Sequence, residues 1–144
     1  MASVELVLTK IAAVQANIAG VVRAYDGSTP PESVEDEPCF VNLHGEYDEA
    51  TIDYRPSSER HTYPVTMLLL LSRQDGPAAM TLALPFIERT RAAFRATATL
   101  GGLVSWAHIE RYRVTSVVYA GVTYLAVRFV LRVQMTEPTS PAPG

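Results

Sequence analysis

The last third of the chain leaves few folds open. From Val122 to Met135, Thr123, Leu125, Val127, Phe129, Leu131 and Val133 fall on one face of an extended chain. Val122, Tyr124, Ala126, Arg128, Val130, Arg132 and Gln134 fall on the other. Successive side chains of a strand point to opposite faces, so this alternation predicts a strand with its first face in a core and its second semi-polar. Arg111–Tyr119 is another β-rich run, and Tyr119-Ala120-Gly121 joins the two as a short turn whose glycine can take positive φ. A long antiparallel hairpin, and hence a sheet with one packed face, is the expected scaffold.

Two segments carry a helical period instead. Val4, Val7, Leu8, Ile11, Val14 and Ile18 recur at three- and four-residue spacing, with Ser3 as N-cap, Glu5 in the positive first turn and Gly20 as the stop. From Ala78 onward Met80, Leu82, Leu84, Ile87, Arg91 and Phe94 set a second helix, with Pro85 at its first turn or kinking it and Gly101-Gly102 ending it. Between the helices, Val21–Tyr25, Cys39–Leu43 and Glu46–Tyr54 read as short extended pieces. Thr62–Ser72 reads as the central strand, its Val65–Leu71 run apolar enough to be covered on both faces. The order predicts an α+β fold. Its sheet is mostly antiparallel with a long C-terminal β-hairpin, and the N-terminal helix and the second helix pack on one face. The domain is expected to span residues 1–136, with Asp26–Pro38 an exposed, acidic, proline-rich loop, Arg55–Arg60 a polar loop and residues 137–144 a flexible tail.

Charge is sparse and unevenly placed. Only 19% of residues are charged, against ~25% in ordinary soluble proteins, which fits a surface partly covered by a partner. Residues 1–59 hold eleven acids and three bases, a net of −8, whereas residues 60–144 hold nine arginines and four acids, a net of +5. Met67–Leu71 is the longest aliphatic run, far below the ~18 residues of a membrane-spanning helix. The start of the chain lacks the basic region and small-residue cleavage site of a secretory signal. Its one cysteine, Cys39, can form neither an internal disulfide nor a thiolate metal site. A reducing compartment is expected.

Catalytic patterns are missing. His44, His61 and His108 stand at no metal-ligand spacing, and His44 beside Glu46 and Asp48 comes nearest to a metal or acid–base group. Cys39 opens an apolar strand, where a buried and inert thiol is expected. No GxSxG elbow is present, Gly101–Leu103 lacks the surroundings of a phosphate-binding loop, and the carboxylate runs Glu35-Asp36-Glu37 and Asp48-Glu49 sit in polar segments. No enzyme activity, cofactor or metal is therefore expected. Arg89, Arg91 and Arg95 on the second helix, with Arg111, Arg113, Arg128 and Arg132 on the hairpin, read as solvated faces or subunit contacts, because no nucleic-acid-binding motif accompanies them.

The ordered layout VELVLTKIAAVQANIAGV, PCFVNLHGEY, ERHTYPVTMLLLL, LALPFIERTRAAFRA and LGGLVSWAHIERYRVTSVVYAGVTYLAVRFVLRV resembles the tail terminator (tail completion) proteins of long-tailed bacteriophages. The likeness covers about residues 3–135. It rests mostly on Arg-His-x-Tyr-x-Val before a hydrophobic strand and on the hairpin Y-x-G-V-x-Y-x-x-x-x-F-x-L-x-V. The resemblance implies a virion protein, in the host cytoplasm during assembly, that forms a six-fold ring. Such a ring caps the tail tube, stops its polymerisation, docks to the head-side connector or stopper, and leaves a channel for DNA in transit. It implies no cofactor, no sequence-specific DNA binding and no membrane contact.

A head-to-tail ring needs two different complementary faces on each subunit, and the acidic and basic halves provide them. The expected contacts are Arg111, Arg113, Tyr124, Arg128 and Arg132 on the exposed face of the hairpin, Glu32, Glu35, Asp36 and Glu37 in the acidic loop, and Arg55 and Arg60 in the polar loop. Acids of Glu32–Glu37 or Glu46–Asp53 are alternatively expected to face the channel, where like charge keeps DNA from adhering. Competing readings are a head-to-tail stopper or other neck ring component, a small oligomeric ligand-binding or accessory α+β domain, and a DNA-binding accessory protein.

Overall fold

The structure is a computed structural model, and it describes residues 4–25, 38–44, 50–72 and 79–138. In chain order the elements are α1 (Val4–Ala16), β1 (Arg23–Tyr25), β2 (Cys39–His44), β3 (Thr51–Arg55), β4 (Ser58–Ser72), α2 (Ala79–Ala96), a 3₁₀ turn (Leu100–Gly102), β5 (Trp106–Tyr119) and β6 (Val122–Pro138). One six-stranded sheet runs β1-β2-β4-β6-β5, with β3 lying beside β4 off that path. Only β1 and β2 pair in parallel. This is the expected α+β fold.

The alternation of β6 is realised as predicted. Leu125, Val127, Phe129, Leu131, Val133 and Met135 join Tyr63, Val65, Met67, Leu69 and Leu71 of β4 in the main core. Both helices cover that face, α1 through Val7, Leu8, Ile11 and Val14, and α2 through Ala83, Phe86, Ile87 and Phe94. The buried stripe of α2 departs from the expected one, since Leu82 and Leu84 are exposed. Stepping back from Phe94 through Ile87 by helical spacing reaches Ala83, and the leucines on either side of it point away from the sheet. Gly20 lets the chain leave α1, as expected: its φ is +90°, and a Cβ there would lie 3.0 Å from the Phe86 ring. Beside it Arg89 Nη1 donates to the Ala19 carbonyl at 3.1 Å, tying the exit of α1 to α2.

Strand ends differ from the expectations in one direction. Arg55–Arg60 is no loop: β3 ends at Arg55, opposite Ser58, so Pro56 and Ser57 alone make the turn, with proline's fixed φ suited to its first position. Ser58 and Glu59 then pair with Pro138 and Glu137, which draws the first two residues of the expected tail into β6. β5 begins at Trp106, opposite Gln134, and a register shift between Ile109 and Arg111 leaves Glu110 as the extra residue of a bulge. Ala120 and Gly121 both have positive φ, the combination of a two-residue turn that matches the twist of its flanking strands. Ser3 and most of the Asp26–Pro38 loop lie outside the described residues.

A polar group inside the core sets a pH response. Tyr63 is buried and its hydroxyl donates to Met135 Sδ at 3.2 Å. Burial pushes its pKa from 10.0 up to about 12. The unfolded tyrosine therefore loses its proton first as pH rises, and the stability this group contributes is complete below pH 10 and declines between pH 10 and about 12. The expected loss is at most about 3 kcal/mol. Chemical denaturation across that range should show the decline in the wild type and a flatter profile in Tyr63→Phe; equal slopes would contradict it.

Candidate interaction surfaces

Among the described residues no helix packs on the other face of the sheet. At one end this face is nevertheless apolar and closed. Cys39, Val41, Leu68, Leu70, Tyr124 and Ala126 form a second buried cluster, flanked by Tyr25, Leu43, Val117, Tyr119 and Val122. The unbroken apolar run of β4 is thereby explained: Met67 and Leu69 serve the main core, Leu68 and Leu70 the second cluster. The Tyr119 hydroxyl is held above its usual pKa by burial first, and then by nearby Cys39, Tyr25 and Tyr124. Cys39 is buried, as expected.

Tyr124 corrects the sequence reading. Only 1% of it is exposed, so it belongs to the fold and not to a docking face. It lies opposite Val117 on β5, and apolar neighbours on its own face enclose the ring.

Farther along the same face the arginines gather. Arg113 lies directly opposite Arg128, and Arg111 opposite Val130, which places three guanidiniums on adjacent strands with all three exposed. Like charges directly opposite on a sheet face destabilise it. The bulge supplies a carboxylate close by: Glu110 Oε2 accepts from Arg132 Nη2 at 3.1 Å and stands 3.7 Å from Arg111 Nη1. Arg132 is therefore engaged with Glu110 within its own chain. Among the described residues Arg113 makes no ion pair. Trp106 and His108 stack on each other at 4.4 Å next to Arg132.

Arg55 and Arg60 sit on the β3–β4 hairpin and share this face with Asp53, which lies opposite Arg60 and 3.5 Å from Arg55. Both members of the Arg55–Asp53 pair are more than half exposed, so it contributes little to stability. Every residue of β3 is exposed. Glu32, Glu35, Asp36, Glu37, Glu46 and Asp48 lie outside the described residues, as does the side chain of His44.

Among the described residues no catalytic grouping emerges. A cavity of about 220 Å³ between the end of α2 and the start of β5 is lined by Arg91, Phe94, Arg95, Ala98, Ala107, His108 and Ile109, with neither a nucleophile nor a carboxylate. Among the described residues no three metal-ligating side chains cluster, and no helix is long and apolar enough to cross a membrane. Two features escaped the sequence reading: the Glu110 bulge, which re-aims its carboxylate at Arg132, and the β3–β4 hairpin, which projects polar and apolar groups together. No family model matches the chain, and no curated protein matches it.

Proposed function

We propose that the protein is a structural subunit of a virion, a tail terminator whose ring caps the tail tube, halts its growth and docks to the head-side connector. The observation that carries this reading is the sheet face on which, among the described residues, no helix packs, and where Arg111, Arg113 and Arg128 stand exposed on adjacent strands. A hairpin that displays three exposed arginines side by side is suited to an acidic partner surface. In a ring of identical chains the nearest such surface is the acid-rich half of the neighbouring copy. The resemblance of the sequence layout to tail terminators suggests the rest of the reading: the tube protein and the connector as further partners, DNA only in transit, and no cofactor.

Reversing the two opposed arginines tests it. Arg113→Glu with Arg128→Glu is expected to shift the sedimenting species from ring to single chain, with a melting temperature close to wild type because both side chains are exposed. A ring of unchanged stability would remove this face from the interface.

A further inference from the structure

Among the described residues three strands keep an open edge, the three-residue β1 and the longer β3 and β5, and the two longer ones match. One is β5, whose outer edge is paired with none of the described strands along Tyr112–Tyr119. Edge strands are ordinarily blunted by charge, proline, shortness or a bulge. In β5 these devices lie toward the start: the Ala98 carbonyl accepts from the Ala107 amide at 2.6 Å, and Glu110 forms the bulge. Beyond Arg113 the edge reads Val-Thr-Ser-Val-Val-Tyr, uncharged and rich in β-branched residues. The other is β3, which among the described residues pairs only with β4.

Both edges carry exposed apolar side chains on the same face. Ile52 lies opposite His61, which lies opposite Met135, and Tyr112 lies opposite Phe129. Met135 and Phe129 both belong to the main core, so Ile52, Tyr54, Tyr112 and Val118 all stand on the helix side of the sheet, beyond the helices. Their exposures are 46%, 71%, 46% and 70%. On the opposite face β3 offers Asp53 beside Arg55, and β5 offers Arg111 and Arg113. The two strands are thus complementary on the apolar face, and on the other Asp53 is the carboxylate that β3 brings to the arginines of β5. Pairing β5 with a second β5 would instead bring the arginines of two copies together.

We propose that β3 of one copy adds to the free edge of β5 on the next, so that the sheet continues from chain to chain. Each addition leaves one β3 and one β5 open, and the series ends only when a ring closes. The inference rests on the ring reading and names the surface that builds it.

Two variants and their mixture test it by sedimentation. Ile52→Lys with Tyr54→Lys spoils the β3 edge; Ser116→Lys with Val118→Lys spoils the β5 edge. All four side chains are exposed, and thermal melts should match wild type. The wild type is expected as a ring and each variant alone as a single chain. An equimolar mixture is expected to stop at the dimer, because one intact β3 meets one intact β5 and no further edge is left. A variant that keeps the wild-type ring overturns the edge pairing and leaves the ring reading standing. Variants that melt like wild type yet stay single-chain when mixed also overturn it. A wild type that stays single-chain at every concentration overturns it too, and the ring reading then answers to the tube-capping measurement alone.

Discussion

Phe129→Ala is expected to cost about 4 kcal/mol of folding stability and to lower the melting temperature by roughly 10 °C or more. Phe129 is fully buried in the middle of β6, with its ring centroid 6.3 Å from Phe40 and 6.2 Å from Tyr112. It stands between Met67 on β4 and Tyr112 on β5, where both flanking ladders are continuous. Those ladders hold the backbone in place, so the surroundings cannot collapse into the void and the cavity cost adds to the lost transfer energy. The residue before it is Arg128, and a loosened β6 would also loosen the arginine face. Thermal unfolding followed by circular dichroism measures the effect; a loss below about 1 kcal/mol would mean the sheet repacks around the gap.

Asn42→Leu is the second large effect, at about 3 kcal/mol. Gln15 on α1 and Asn42 on β2 are both fully buried and exchange two amide hydrogen bonds of 2.8 Å. Asn42 Nδ2 also donates to the Tyr25 carbonyl at 2.7 Å, so one side chain fastens α1, β1 and β2. Replacing Asn42 alone leaves the Gln15 amide buried without its partner, which carries the desolvation penalty of that group. Gln15→Leu with Asn42→Leu removes both amides and should cost clearly less than the two single changes summed. Urea denaturation of the four proteins gives the coupling directly, and strict additivity would contradict the account.

The sequence was most legible where one period survives over a long element. The alternation of β6 runs unbroken from Val122 to Met135, and its core face is the one the structure shows. The first half of β5 was hidden because the extra residue at Glu110 shifts the phase of the alternation midway. The end of β3 and the start of β4 resembled a loop for a different reason: Arg55–Arg60 is polar throughout and offers no apolar side to reveal a strand. In α2 the many alanines left Leu82 and Leu84 as the conspicuous apolar residues, although the smaller Ala83 between them is the one that packs.

The candidate site was half legible. The arginine face follows from strand parity alone, and Arg111, Arg113 and Arg128 do come together. What local pattern cannot show is partnership at a distance. Glu110 and Arg132 are 22 residues apart and meet only because the bulge turns the carboxylate. The burial of Tyr124 follows from neighbours on β2, β4 and β5, and Gln15 with Asn42 is likewise a contact across 27 residues. The acid that the structure places on the arginine-bearing face at the opposite edge is Asp53.

The central claim is that this chain closes the end of a tail tube. Tubes polymerised from their subunit protein with and without it, imaged by negative stain and then offered fresh subunits, test that claim most directly. Tubes made with the protein should carry a ring at one end and gain no length when subunits are added, while tubes made without it keep growing. Tubes that lengthen equally in both preparations, with no density at their ends, would contradict the claim.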